Sequence, residues 1–233
     1  MRRTILWIAF ALIALGGLGV AVYVDQPIAS GLRESQGKRW KKTADYKFHT
    51  AVRKIADWPG LMLAGGIGLL IARGMRNREW QRILIAGMLA STLAGVVANA
   101  SRLTTGRVRP KEVPKIEAGF YGPWNHGKLL IGDPPYNSFP SGHTATAFGL
   151  AFVIAFARPW LGVGALFLAV LVGWSSMVTG NHWTSDVWVS VALSFVVAWN
   201  VWRWVQKNGD ATARKVLDRI KRRRKGSKQS TTP

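Results

Sequence analysis

The segment Phe139-Pro140-Ser141-Gly142-His143-Thr144 lies where a loop rich in glycine, proline and charge meets a long apolar run. Pro140 ends the loop and Ser141 suits a helix N-cap, so a helix is predicted to begin here. Backbone N–H groups in the first turn of a helix have no partner within it and favour an anion. His143 lies in that turn and can transfer a proton. An ordinary helix start has similar residues, so the interpretation depends on what flanks the segment.

The composition indicates a membrane protein. The 233 residues carry a formal net charge of +21 and are 48% hydrophobic. In a soluble domain this charge would suggest nucleic-acid binding. Here the apolar residues are gathered into runs near the ~20 residues that cross a bilayer, and the charges lie between them. We therefore expect no nucleic-acid partner. The chain has no cysteine, which excludes disulfides and zinc–thiolate sites.

The apolar runs predict an all-α fold, a polytopic bundle of six transmembrane helices. The predicted spans are residues 4–24, 58–72, 83–101, 144–157, 160–179 and 187–205. The first run could instead be a signal peptide, but its length and the lack of a small-x-small cleavage site favour an uncleaved helix. Residues 1–81 are predicted to hold two spans, residues 82–205 to form a core with four, and residues 206–233 to be a basic cytoplasmic tail with a disordered, Ser/Thr/Gln-rich end.

The basic segment 25–57 joins the first two runs. Phe48, Val52 and Ile55 recur at helical spacing, which predicts an amphipathic helix on the membrane surface or, equally well, a solvated helix. Six spans put both termini on one side, and the Lys and Arg excess there predicts that this side is cytoplasmic. We therefore expect an inner-membrane protein whose longest loops face the periplasm or outside, and whose basic segments contact anionic lipid headgroups.

Span parity brings the polar residues together. The end of the third span, the start of the fourth, the end of the fifth and the start of the sixth must lie at one membrane face. Those points carry Arg102, Arg109, Ser141, Gly142, His143, Ser175, Ser176, His182 and Asp186. Arginine suits phosphate oxygens, and a His with a carboxylate one turn away can be a nucleophile. A second His can protonate a leaving group. These residues predict a phosphate site.

Three segments resemble the signature of the type 2 phosphatidic acid phosphatase superfamily. They are Arg102-x6-Arg109-Pro110, Pro140-Ser141-Gly142-His143 and Ser175-Ser176-x5-His182-x3-Asp186, within residues 82–205. The resemblance implies a membrane lipid phosphatase that needs no metal or other cofactor. The implied substrates are polyprenyl diphosphate, phosphatidic acid, phosphatidylglycerol phosphate or lipid A.

The resemblance also implies roles for individual residues. His182 would attack phosphorus to form a phosphohistidine, Asp186 would orient it, and His143 would protonate the departing lipid oxygen. The phosphoryl oxygens would be bound by four residues, namely Arg102, Arg109, the Ser141 hydroxyl and the Gly142 N–H.

The chain departs from the family pattern at two positions. Arg102 stands where lysine is usual, and Ser176 stands in the phosphate site where arginine is usual. A basic loop residue, namely Arg107, Lys111 or Lys128, could supply the missing charge, although Lys128 is expected to be solvated. A lipid phosphotransferase using the same intermediate stays an alternative. A catalytically weak lipid-phosphate binding protein is a second alternative, because Ser176 lacks the charge of the usual arginine.

Overall fold

Seven α-helices and one short hairpin form the part of the chain that the computed structural model describes, residues 2–37 and 39–229. The helices are α1 (Arg2–Glu34), α2 (Ala44–Ile55), α3 (Trp58–Gly74), α4 (Arg78–Thr105), α5 (Gly142–Ala157), α6 (Pro159–Val178) and α7 (Thr184–Gln229). Strands β1 (Trp124–Asn125) and β2 (Lys128–Leu129) pair antiparallel in the loop between α4 and α5. Short 3₁₀ turns lie at Trp40–Lys42, Pro110–Glu112 and Pro134–Tyr136.

The structure confirms an all-α membrane protein. The six predicted runs lie in α1 and in α3 to α7. Among the described residues, α1, α4, α6 and the Thr184–Asn208 part of α7 are each long and apolar enough to cross a membrane. Helices α2 and α3 pass the same test as one unit bent by 56°, and α5 is apolar but shorter. Six is therefore an approximate number of spans.

Two helices extend beyond the predicted spans. Helix α1 continues past Val24 to Glu34, and α7 continues past Val205 to Gln229. The predicted basic tail is therefore helical as far as Gln229. Residues 230–233, the end of the tail predicted to be disordered, lie outside the described residues. The division of the chain at residues 81 and 205 stays a prediction.

Small residues let the central helices approach closely. The core between α4, α5 and α7 contains Ala94, Ala98 and Ala145. A Cβ added at Gly149 of α5 would lie 2.8 Å from the carbonyl oxygen of Ala90 in α4. Helices in a bilayer associate largely through such close packing, because lipid tails are as apolar as the side chains. This packing holds the end of α4 and the starts of α5 and α7 at one end of the bundle.

The N-terminal helices pack around this bundle. Helix α1 lies along α7, where Phe10 stacks on Phe195 with ring centroids 4.8 Å apart. Helix α3 packs on α4, and Trp58 Nε1 at its start donates to Thr92 Oγ1 at 2.9 Å.

Helix α2 confirms the predicted helix in the basic segment and packs on α6. Thr43 caps it by accepting a hydrogen bond from the Tyr46 N–H at 3.2 Å. Of the three predicted apolar positions, Val52 is buried against Val172, whereas Phe48 and Ile55 are exposed. The buried face of α2 therefore contacts protein.

Candidate active site

The site forms where α4 ends, α5 and α7 begin and α6 ends. Gly106 ends α4 in the left-handed conformation, with φ of 54°, and a Cβ there would lie 2.0 Å from the Gly122 carbonyl oxygen. This turn directs the following arginines toward the bundle. The Lys111 N–H donates to the Gly180 carbonyl at 3.0 Å, and Trp183 Nε1 donates to the Val108 carbonyl at 2.7 Å. The arginine loop is thereby fastened to the turn that carries His182.

His182 is held in one tautomer by the backbone. Its Nδ1 lies 2.6 Å from the Ser138 carbonyl oxygen, which can only accept, so Nδ1 carries the proton and Nε2 carries the lone pair. Asp186 Oδ2 lies 3.7 Å from Nδ1, at ion-pair distance and beyond a hydrogen bond. The predicted His182–Asp186 pair is thus present, but the hydrogen bond that orients the ring goes to Ser138.

His182 is neutral at physiological pH. The ring is 2% exposed, and this burial lowers the pKa of His182 to about 4. Asp186 acts in the opposite direction on this pKa, and the positive charges of Arg102 and Arg109 lower it further. A neutral imidazole with a free Nε2 lone pair is the form that a nucleophilic histidine requires.

Asp186 lies within a buried network of donors. Its carboxylate accepts from the Ser138 hydroxyl at 2.5 Å and the Trp183 N–H at 2.8 Å, and it pairs with Arg107. Arg107 also pairs with Asp25 of α1 at 2.8 Å. Because Arg107 is held between two carboxylates, it does not supply the charge missing at Ser176, and that expectation is corrected.

Sequence analysis did not identify Asp25. This carboxylate is 5% exposed and also accepts from the Ser185 N–H at 2.9 Å and the Ser185 hydroxyl at 2.5 Å. The sequence does contain a signal for this residue, namely a carboxylate at the end of an apolar run. Ionisable groups at such positions usually have a buried partner. Asp25 connects α1 to the start of α7.

Arg102 and Arg109 approach the start of α5 and the α6–α7 turn. Arg102 Nε donates to the Pro140 carbonyl at 2.9 Å, and a Cβ on Gly142 would lie 2.9 Å from Arg102 Nη2. Arg109 Nη1 donates to Asn181 Oδ1 at 3.2 Å. Burial and the charge of Arg53 lower the pKa of Arg109, with Glu112 and Asp186 acting in the opposite direction. Such crowding of buried cations favours a bound anion.

Helix α5 begins at Gly142, directly after Pro140-Ser141, as the sequence predicts. Ser141 is the N-cap residue, but its side chain makes no capping hydrogen bond; its hydroxyl accepts from Thr144 Oγ1 at 2.8 Å. The first-turn N–H groups, including that of Gly142, are thus not capped by Ser141. With the two arginines, they can bind phosphoryl oxygens.

Ser176 lies in the last turns of α6 and is fully buried. Its hydroxyl donates to the Val172 carbonyl at 2.9 Å, and its own carbonyl accepts from the His182 N–H at 3.3 Å. The residue therefore supports the turn that carries His182. Its hydroxyl is bound within α6, so this orientation does not support its predicted role as a phosphate ligand.

The two remaining basic loop residues differ in position. Lys111 Nζ donates to Asn181 Oδ1 at 3.0 Å, next to Arg109, and burial and the Arg109 charge lower the pKa of Lys111. Lys128 lies in β2, is 69% exposed at its side chain and pairs with Asp133 at 2.7 Å. The expectation that Lys128 is solvated is confirmed.

Two side chains from the α2–α3 segment reach residues of the signature, and sequence analysis did not identify either contact. His143 Nε2 lies 2.7 Å from Asp57 Oδ1, at the bend between α2 and α3. His49 Nδ1 lies 2.8 Å from Ser175 Oγ at the end of α6. The available signal was the lone acidic residue between the amphipathic segment and the second apolar run.

A cleft of about 170 Å³ opens beside His182, between the N-terminal segment and the α6–α7 turn. Its lining includes Asp25 of α1, Lys41 and Tyr46 near the start of α2, Lys111 and His182. Arg102, Arg109 and His143 are not among the described residues that line it.

A family model and two curated proteins match parts of this chain. The family model of the PAP2 superfamily matches residues 82–210. A lipid A 1-phosphatase of Porphyromonas gingivalis is 29% identical over 154 residues, 64% of this chain and 30% of that protein. A lipid A 1-phosphatase of Rhizobium johnstonii is 31% identical over 101 residues, 42% of this chain and 38% of that protein. The chain thus matches only about a third of the length of each relative.

Two crystal structures have a similar fold. LpxE of Aquifex aeolicus superposes with a TM-score of 0.52 and 18% identity, covering 77% of this chain and 95% of that one. A PAP2-type phosphatidylglycerolphosphate phosphatase of Bacillus subtilis superposes with a TM-score of 0.55 and 18% identity, covering 86% of this chain and 96% of that one. At this identity the likeness concerns the fold.

Proposed function

The chain belongs to the PAP2 superfamily, and from this premise we propose that it is an integral membrane lipid phosphatase that acts through a phosphohistidine, without a metal ion. The observation that carries the proposal is the buried, neutral His182, whose Nδ1–H is bound to a backbone carbonyl. Its Nε2 lone pair lies in a site with two arginines, and this combination suits in-line attack on a phosphate ester.

In the first step, Nε2 of His182 attacks phosphorus and the bond from phosphorus to the lipid oxygen breaks. The positive charge that develops on the ring is stabilised by Asp186, 3.7 Å from Nδ1. Asp186 is itself fixed by Ser138 and Trp183. This is the part a carboxylate has in a catalytic triad, where it stabilises the imidazolium without taking its proton.

The phosphoryl group in transit spreads negative charge over three equatorial oxygens. Arg102, Arg109 and the first-turn N–H groups of α5 are the donors for these oxygens. A preorganised donor of this kind contributes about 10²- to 10³-fold to the rate. Arg109 and Arg102 are held by Asn181 and the Pro140 carbonyl before substrate binds, so little reorganisation is needed.

His143 serves as the acid of the first step and the base of the second. Its proton passes to the departing lipid oxygen, and it then removes a proton from the water that attacks the phosphohistidine. The phosphorus–nitrogen bond breaks, which releases inorganic phosphate and regenerates His182. Asp57, 2.7 Å from His143 Nε2, can stabilise the protonated ring.

The substrate we favour is a lipid A 1-phosphate, because the curated relatives are lipid A 1-phosphatases. Phosphatidylglycerol phosphate, phosphatidic acid and polyprenyl diphosphate present the same phosphate chemistry. We place the protein in the inner membrane with this site facing the periplasm, which the greater number of basic residues on the terminal side supports. Basic side chains around the cleft would attract anionic headgroups.

The test is phosphate release by the purified full chain from a panel of these four lipids in mixed micelles. We expect release from at least one lipid in plain buffer, loss of release in His182→Ala, and near-normal release in the loop control His126→Ala. An acid-labile phosphoenzyme should be trapped in wild type and not in His182→Ala. Release that requires an added acceptor would indicate the phosphotransferase, and binding without release would indicate the binding protein.

A further inference from the structure

We propose that Arg53 of α2 is the third cation of the phosphate site, in place of the arginine that the family pattern has at the position of Ser176. This inference rests on the proposed function, since it concerns the same phosphate group. Arg53 lies outside residues 82–210, the part of the chain that matches the family model.

The position of Arg53 follows from its neighbours on α2. His49 and Arg53 are spaced by four residues and so share one face of α2. Asp57 follows at the bend between α2 and α3, where it is the N-cap residue of α3. His49 lies 2.8 Å from Ser175 in the third signature segment, and Asp57 lies 2.7 Å from His143 in the second. Arg53 therefore faces the space between these two segments, where the phosphate is proposed to bind.

Packing fixes this segment against the bundle. Val52, next to Arg53, is buried against Val172 of α6. The Ala56 carbonyl accepts a hydrogen bond from Thr146 Oγ1 of α5 at 2.9 Å. The backbone on both sides of Arg53 is thus held in place, and the side chain loses little further freedom when an anion binds.

Arg53 has a donor that an anion would satisfy. Among the described residues, Arg53 Nε and Arg102 Nη2 are buried and have no hydrogen-bond partner. A buried donor without a partner typically costs about 1 to 3 kcal/mol, and more when the group is charged. The charge of Arg53 also contributes to lowering the pKa of Arg109, after burial. One phosphate could accept from all three guanidinium groups.

The relation to Ser176 is geometric. Ser176 donates to the carbonyl of Val172, the residue that Val52 contacts. The turn of α2 that carries Arg53 therefore lies against the turn of α6 where the usual arginine would begin. A guanidinium on a long side chain can reach the shared space from either helix, so the charge can be supplied by the neighbouring helix.

The experiment compares Arg53→Gln with Lys54→Gln, a matched loss of charge at the next residue, which is exposed. On one accepted lipid, kcat should fall by about 10²- to 10³-fold for Arg53→Gln. It should change by less than about threefold for Lys54→Gln, because exposed charges are screened. Equal effects of the two changes would overturn the proposal.

Charge relocation distinguishes a lost cation from a damaged helix. In the Arg53→Gln background, Ser176→Arg should restore kcat by at least about tenfold, while Ser176→Arg alone should give no comparable gain. No restoration in a double variant that melts at the wild-type temperature would count against Arg53. If Arg53→Gln does not fold, Arg53→Lys keeps the charge without the planar fork and should retain part of the activity.

A readout without turnover separates this inference from the proposed function. Inorganic phosphate or vanadate should raise the melting temperature of wild type and of Lys54→Gln, and should raise that of Arg53→Gln less. If wild type releases no phosphate from any lipid yet shows this difference, the proposed function fails and Arg53 remains a phosphate ligand. If the three proteins are stabilised equally, the inference fails whatever the activity.

Discussion

Removal of the Asp25 carboxylate is expected to destabilise the protein more than the loss of any surface ion pair. Asp25→Ala leaves three donors without their acceptor, namely Arg107 Nη2 and the N–H and hydroxyl of Ser185. Asp25 is 5% exposed and Arg107 is 9% exposed, so water has little access to replace the lost acceptor. Removing one partner of a buried pair costs about 3 to 5 kcal/mol. For a chain of this size that corresponds to a fall in melting temperature of about 6 to 20 °C.

The assay is thermal unfolding of the purified full chain in a single detergent, followed by the fluorescence of its 12 tryptophans. The matched control is Glu79→Ala, because Glu79 pairs with Arg158 at 2.6 Å, closer than the 2.8 Å between Asp25 and Arg107. The Glu79 and Arg158 side chains are 55% and 46% exposed. Such a pair contributes less than about 1 kcal/mol. Equal melting shifts for the two variants would refute the argument that burial decides.

Three further predictions concern pH, orientation and substrate attraction. Activity should fall as pH drops toward about 4, because burial lowers the pKa of His182 to that value and only the neutral ring can attack phosphorus. A pH–rate profile in which His182 titrates near 6.5 would contradict this. Since the chain has no cysteine, single variants Lys128→Cys and Ser227→Cys can each be labelled in intact cells with an impermeant maleimide. The reagent should label the cysteine at position 128 and not the one at position 227. Labelling of both would contradict the cytoplasmic position of the termini. Charge reversal at Lys47, which is exposed on α2, should raise KM on anionic vesicles more than it lowers kcat, and less so at high salt. An unchanged KM would count against attraction by α2.

The helices were predictable because a single physical requirement produces them. A segment that crosses hydrocarbon must be apolar for about 20 residues and must satisfy its backbone internally. That requirement predicted α1 and α3 to α7. It does not predict where a helix ends once it has left the membrane, since water can solvate a polar helix. This explains the missed extensions of α1 to Glu34 and α7 to Gln229.

The site was predictable in part, for a different reason. Span parity alone brings His143, His182 and the first-segment arginines to one end of the bundle. The carboxylates that hold the site together have partners 82 and 86 residues away, Asp25 on Arg107 and Asp57 on His143. No local pattern encodes such distant pairs. The hydrogen bond from His182 to the Ser138 carbonyl could not be predicted either. Every residue has a backbone carbonyl, so the identity of residue 138 does not indicate that its carbonyl accepts this bond.

The proposed contribution of α2, a cation for the phosphate site, is possible because a nucleophile and a cation need different precision of placement. A nucleophile must lie within bonding distance of phosphorus, so we expect His182, the proposed nucleophile, and the turn that carries it to tolerate little change. A cation acts through space, and any anchored side chain that reaches the same oxygens can supply it. Helix α2 meets this condition because Val52 and the Ala56 carbonyl fasten it to α6 and α5. On this proposal Arg53 offsets the absence of an arginine from α6, and a chain without α2 would keep the proposed nucleophile, His182, but lose part of the charge that stabilises the transition state.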